Sequence, residues 1–239
     1  MKTVATDGTT GNVNTTKETT KTDSEGNTTT TLVSKEKDAD GKLLTSLSAT
    51  TVTEKDGTAT TFVTLKSYDS EGKAQKITET IVLGSNGTST VNAIVKNPDG
   101  TTVKEAFNVD KKGNVKITSF DSSSEEIIIP TTVDAGGTSY PVTKISSGAM
   151  KGNKSLTKVS LGDNITAIGA GAFSGDKNLE TIEITDSVIR IHRRAFKGIS
   201  KNATFFITAS SETEYDRIVN LIKNSGVSST VKFIWTNEG

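Results

Sequence analysis

The stretch AIGAGAFSGDKNLETIEI, residues 167–184, decides the fold of half the chain. Small residues, one phenylalanine and then spaced aliphatics come in a fixed order, and the order recurs on both sides. Upstream, residues 144–161 read KISSGAMKGNKSLTKVSL; downstream, residues 190–207 read RIHRRAFKGISKNATFFI. Ile145, Ile168 and Ile191 stand 23 residues apart. So do Ala149, Ala172 and Ala195, then Met150, Phe173 and Phe196, and Gly152, Gly175 and Gly198. Leu156, Leu179 and Asn202 keep the step, as do Val159, Ile182 and Phe205, and Leu161, Ile184 and Ile207. A fixed period of this length marks a solenoid, in which no unit buries its own apolar side and each stacks on the next. LETIEI is then a short strand with Ile182 and Ile184 pointing inward. AIGAGAF returns along another side and Phe173 fills the middle. Gly169, Ala170 and Gly171 let the chain turn tightly and let coils approach.

Both ends of the array are marked. Upstream, FDSSSEEIIIP is a polar hinge followed by a strand that stops at Pro130. Downstream, SSETEYDRIVNLIKNSG reads as an amphipathic helix with Tyr215, Ile218, Val219 and Ile222 on one side. Its opening SSETE supplies a cap and first-turn acids. TVKFIW then reads as a closing strand, so a helix and a strand cap the last coil.

The pattern I-G-x-x-A-F-x-G-x-x-x-L-x-x-I-x-I at a 23-residue period resembles the BspA-like leucine-rich repeats. The segment IIIPTTVDAGGTSYPVTKIS resembles that family's N-terminal opening, a strand ending in Pro, a small hairpin and the first Ile. The resemblance covers about residues 125–207. It implies an exported or surface protein of adhesive, non-enzymatic function. The array departs from the family pattern in being short, about three units, and in placing Asn202 where the ladder Leu belongs.

The first half has a different grammar. Residues 1–60 contain 19 threonines. Polar clusters recur (DGTTGN, DSEGN, DADGK, EKDGT, DSEGK, GSNGT, NPDGT, DKKGN), with last glycines at Gly11, Gly26, Gly41, Gly57, Gly72, Gly87, Gly100 and Gly113. Asp, Asn and Gly suit tight hairpin turns, and the intervening Thr/Val/Ile segments favour extended backbone. Evenly spaced short strands predict an antiparallel meander. Val63 with Leu65, Val103 with Phe107 and Val109, and Val115 with Ile117 share parities, which predicts one apolar face and one wet face. The earliest strands carry almost nothing to bury. The fold expected is mainly β: a Thr-rich antiparallel meander over residues 1–121, then a capped leucine-rich repeat solenoid with a C-terminal helix over residues 122–239.

Composition excludes several functions. The 239 residues hold 28 Lys+Arg and 28 Asp+Glu, so no general pull toward nucleic acid follows. There is no cysteine, hence no disulfide or thiolate metal site. No apolar run reaches a membrane span, and MKTVATDGTTGN lacks a signal-peptide core; if the natural protein is exported, the expectation is that this chain has lost its signal or is an excised piece. His192 is the lone histidine, and no G-x-S-x-G accompanies it, so no Ser–His machinery is supported. The DADGK and DSEG clusters lack the alternate acids and distal Glu of a calcium loop and read as turns. No paired carboxylates stand in a glycosidase-like motif. No cofactor is expected.

Two surfaces remain as binding candidates. Between the inward residues of the repeat strands lie Lys158, Ser160, Thr181, Glu183, Thr204 and Phe206, with Ile128 and Glu126 extending their columns. RIHRRAFK is the one charge cluster, with Arg190, Arg193, Arg194 and Lys197. The bland readings are a solvated edge for the cluster and coverage of Phe206 by the cap. The expectation is a monomeric, extracellular or surface-attached binding protein. Its partner would be a host or neighbouring-cell protein or glycan, not nucleic acid or a membrane. The alternative is a spacer or stalk of a larger surface protein.

Overall fold

A computed structural model describes residues 1–135 and 138–236. Backbone proximity divides the chain into two units, Met1–Lys104 and Glu105–Gly239.

The first unit holds β1 (Lys2–Thr6), β2 (Val13–Thr22), β3 (Thr28–Lys37), β4 (Leu43–Thr53), β5 (Ala59–Tyr68), β6 (Ala74–Leu83) and β7 (Ser89–Lys96). Each is antiparallel to the next, the predicted meander. The turns explain the glycine spacing. In the second cluster Asp23 N–H donates to Asn27 O at 3.0 Å and Gly26 N–H to Asp23 O at 3.2 Å, with Gly26 at φ 91°. This is a tight turn closed by a left-handed residue, which glycine adopts freely. The Asp23 carboxylate accepts the N–H groups of Glu25 and Asn27, both at 2.9 Å. Hydrogen bonds from Asn27 hold that carboxyl below its usual range.

Packing departs from expectation. Cross-strand register does line up Val95, Ile77, Leu65 and Leu47 on one face, continued by Ser34 and Thr16. Yet among the hydrophobic residues of this unit only Val91 and Ala93 are buried, and Phe62 on the other face is 52% exposed. Alternation selects a face, but no second layer within the unit covers it. Threonine fits such a sheet because it is β-branched and its hydroxyl pairs across strands. Thr51 meets Thr61 at 2.9 Å, Thr20 meets Thr30 at 3.1 Å and Thr31 meets Thr50 at 3.4 Å.

The division between the units falls inside β8 (Thr102–Val109). The second unit continues with β9 (Val115–Ser122), β10 (Glu126–Ile128), β11 (Thr132–Ala135), β12 (Thr138–Ile145), β13 (Lys158–Ser160), β14 (Ala167–Ile168), β15 (Thr181–Thr185), β16 (Arg190–Ile191) and β17 (Thr204–Thr208). The helix α1 (Glu212–Lys223) and β18 (Lys232–Thr236) close it. Two parallel ladders form the coil. One runs β10–β13–β15–β17–β18, the other β9–β12–β14–β16. The turns make a third seam: Gly148 N–H donates to Ala170 O at 3.0 Å, Phe173 N–H to Ala195 O at 2.8 Å and Gly175 N–H to Lys197 O at 2.9 Å. The hairpin expected after Pro130 is β11–β12, its turn lying outside the described residues.

β9 carries the second ladder one step beyond the sequence period. Ile117 pairs with Ile145, which leads on to Ile168 and Ile191. The core is an aromatic and aliphatic stack. Phe173 is fully buried and lies parallel to Phe196 at 5.2 Å; Phe196 meets Phe205 edge-on at 5.2 Å, and Phe205 stacks on Phe233 at 5.8 Å. A Cβ on Gly169 would fall 2.4 Å from Ser147 N, so this glycine is required by the approach of two coils.

The cap forms as the sequence predicts. Ser211 Oγ accepts Glu214 N–H at 3.3 Å, and α1 buries Ile218, Val219 and Ile222. Tyr215 stacks on Trp235 at 5.6 Å. Arg217 fixes the helix to the last coil by donating to Val188 O and Asp186 O, each at 2.7 Å.

Candidate functional site

The ladder β10–β13–β15–β17–β18 sets the first candidate surface. Its inward column is Ile127, Val159, Ile182, Phe205 and Phe233. Period-two alternation therefore turns Ile128, Ser160, Glu183, Phe206 and Ile234 outward in one row. A second row is Glu126, Lys158, Thr181, Thr204 and Lys232. All six strand residues expected from the sequence thus share this face.

The middle of the face is polar and interlinked. Lys158 Nζ lies 2.9 Å from Glu183, and Ser160 Oγ donates to the same carboxylate. The Ser160 hydrogen bond, then that of Lys158, holds the Glu183 carboxyl below its usual range, and Glu183 raises the Lys158 ammonium. Both side chains are partly solvated, so the pair orders the surface more than it stabilises the fold. The ends of the face are apolar. Ile128 is 74% exposed and Ile234 is 42% exposed beside half-buried Phe206. Ile234 was legible from the alternation in VKFIW, because Phe233 faces the core.

Arg193 and Arg194 do not join this face. They lie on the turn seam and line a groove of about 800 Å³ with Lys151 and Lys197. Lys151, Ser174 and Lys197 occupy one repeat position, a relation the 23-residue period carries but composition does not. Arg194 has φ 60° and is the one non-glycine with positive φ among the described residues. Gly148 (φ 68°) and Gly171 (φ 64°) fill its position in the earlier coils. Arg190, from the same cluster, lies in β16 outside the groove lining.

Elsewhere the chemistry is structural. His192 is an exposed residue directly after β16 whose N–H donates to Ile168 O at 2.9 Å. Asp176 is buried; one carboxylate oxygen accepts Asn153 N–H at 2.9 Å and the other has no partner. Burial pushes its carboxyl up to about 6. No group of His, Asp and Glu suited to a metal occurs among the described residues.

Residues 119–220 match the family described as "BspA type Leucine rich repeat region (6 copies)". No curated protein matches the chain. Among solved structures, a leucine rich cell surface protein from Faecalibacterium prausnitzii A2-165 is 28% identical, over 44% of this chain and 31% of that one, with a TM-score of 0.39. The chain thus spans about a third of that protein's length. A leucine-rich repeat protein from Bacteroides capillosus is 24% identical over 54% of this chain and 94% of its own, with a TM-score of 0.40. The T. pallidum leucine rich repeat protein is 22% identical over 54% and 61%, with a TM-score of 0.36. The family match runs from within β9 through β17 into the cap helix, and over residues 119–220 this chain matches the BspA type leucine-rich repeat family.

Proposed function

We propose that the chain is a non-catalytic, cell-surface binding protein of a bacterium, attaching to a host or neighbouring-cell protein or glycan through the repeat strand face. The observation that carries this is the outward row of the parallel ladder. Ile128 and the cap residue Ile234 are exposed on it, with Phe206 half-buried beside Ile234, and they flank the Lys158–Ser160–Glu183 cluster. Interfaces concentrate their energy in a few side chains, and here a polar centre is flanked by apolar ends. Lys158, Ser160, Thr181, Glu183, Thr204 and Phe206 are the contact residues of this reading.

The test is a binding screen of the chain against immobilised extracellular proteins and glycans, followed by variants. Lys158→Ala with Glu183→Ala is expected to weaken the captured interaction about tenfold or more. Thermal unfolding should shift by less than the equivalent of about 0.5–1 kcal/mol. A target weakened only by Arg193→Ala with Arg194→Ala removes the strand-face assignment.

The first unit favours a second reading, a spacer. Strands of 10–11 residues repeat with hairpin turns, and Val91 and Ala93 are the only buried hydrophobic residues of the unit. The position of this segment among neighbouring domains of the full-length gene discriminates: a stalk lies between an anchor and a distal domain.

A further inference from the structure

We propose that the groove on the turn seam is a second binding site, for an anionic polysaccharide carrying sulfate or carboxylate groups. It stands independently of the strand-face reading. Four cations, Lys151, Arg193, Arg194 and Lys197, line one groove of about 800 Å³. None of the four takes part in the ion pairs Lys73–Glu71, Lys158–Glu183 and Arg217–Glu214 of the described residues. Across the chain 28 acids balance 28 bases, so the cluster is not the overflow of a basic protein.

Arg194 sharpens the point. The two preceding coils place glycine here, at nearly the same positive φ. An L side chain in that region is disfavoured, and Arg194 is exposed, so the fold gains no packing from it. What it adds is a guanidinium beside that of Arg193, facing the same groove.

Spacing and lining select the ligand class. Coils in a parallel ladder sit about 4.8 Å apart, so the backbones of Lys151 and Lys197, two coils apart at one repeat position, lie about 10 Å apart along the groove. A chain bearing charges in succession matches that spacing along the groove. The lining between the cations is Gly148, Ala170, Gly171 and Gly198, with the hydroxyls of Ser147 and Ser174. It offers no aromatic platform for nucleobases and no apolar pocket for peptide anchors. A bilayer surface, being flat, meets only the rim of a concave site. Hydroxyls and small residues suit a sugar chain, and the cations suit its charges.

The experiment measures affinity of the whole chain for a heparin octasaccharide and for its desulfated counterpart by calorimetry. Wild type is expected to bind the sulfated form, with affinity falling at least about tenfold between 0.05 and 0.5 M salt. Lys151→Ala, Arg193→Ala, Arg194→Gly and Lys197→Ala combined should abolish binding. A charge-matched control, Lys21→Ala, Lys37→Ala, Lys55→Ala and Lys76→Ala, should retain affinity within about twofold. Arg194→Gly alone should weaken binding while the thermal midpoint holds or rises, because glycine accepts the left-handed backbone. The proposal is overturned if wild type does not bind the octasaccharide, or if the control loses as much as the groove variant. Tighter binding of an oligonucleotide or of a phosphatidylserine vesicle also overturns it. Lys158 and Glu183 do not line the groove, so either result leaves the strand-face test standing.

Discussion

The two units use β-structure in opposite ways. Met1–Lys104 buries two hydrophobic side chains, Val91 and Ala93; the described residues of Glu105–Gly239 bury thirty-one. In the first, each strand is held by its antiparallel neighbours, by turn carboxylates and by threonine hydroxyl pairs. In the second, the repeat strands β13 to β17, of two to five residues, are held by what lies between the ladders, above all the Phe173–Phe196–Phe205–Phe233 stack. Regular strand pairing therefore does not require a core, but strands as short as Ala167–Ile168 do. The first unit spreads its stability over many local bonds, and the second concentrates it in a few buried positions.

That contrast can be broken by paired substitutions. Phe173→Ala should cost about 3–5 kcal/mol in chemical denaturation of the second unit. Phe62→Ala, at a residue 52% exposed, should cost the first unit less than about 1 kcal/mol. Equal losses would mean that the meander holds a core after all. Two glycines make the next pair. Gly169→Ala drives a Cβ into the Ser146–Ser147 backbone and should cost about 1–3 kcal/mol. Gly57→Ala meets open space and only the strain of φ 87°, about 1 kcal/mol. Midpoints in urea for the two variants check the order.

Acid should push the units apart. Burial raises the Asp176 carboxyl to about 6 from 3.8, so the folded state holds that proton more tightly than the unfolded chain. Its contribution is fully present below about 3.8 and is lost as pH rises through 6, a penalty of about 2–3 kcal/mol at neutrality. Asp176→Asn should recover about 1–2 kcal/mol at pH 7 and flatten the profile between pH 4 and 6. The turn carboxylates run the other way. Asp23, Asp56 and Asp99 are lowered by hydrogen bonds from Asn27, Thr58 and Thr101, so their contribution is present above 3.8 and lost below it. Melting at pH 7, 5 and 3 should show the repeat unit gaining on the first step and the meander turns weakening on the second. The smallest effect is in hydrogen exchange. Amides of β1–β3, whose rows end in Ser34, Thr16 and Thr3, should exchange fastest, and those of β13, β15 and β17 slowest. Uniform protection from β1 onward would require a covering partner for the Thr-rich end.

Much of this was legible in the sequence. The 23-residue register places Ile145, Ile168 and Ile191 in one ladder and Val159, Ile182 and Phe205 in the other. The cluster glycines mark the hairpins, and SSETE marks the start of α1. Two things were not legible. Val115 and Ile117 follow DKKGN, a cluster with the same grammar as the turns before it, so nothing local shows that β9 runs parallel to β12. Alternation names the side chains that share a face of the meander but not whether a layer covers them. At the candidate surfaces, parity alone orders Lys158, Ser160, Thr181, Glu183, Thr204 and Phe206. The groove needed three dimensions to bring Lys151 to Arg193, although aligning Arg194 with Gly148 and Gly171 already exposes an arginine in a glycine's place.

The nearest-neighbour order of β1 to β7 also has a mechanical meaning. Tension that draws Met1 away across the strands loads only the β1–β2 hydrogen bonds, then those of β2–β3, and so on. Ladders loaded one rung at a time open at low force, as a zip does, whereas tension along paired strands shears every rung together. Under such a pull the meander would pay out chain hairpin by hairpin and wind back when released. In single-molecule extension the trace should show a low, sawtooth-free plateau for this region, with a separate, abrupt rupture when the phenylalanine stack of the repeat unit lets go.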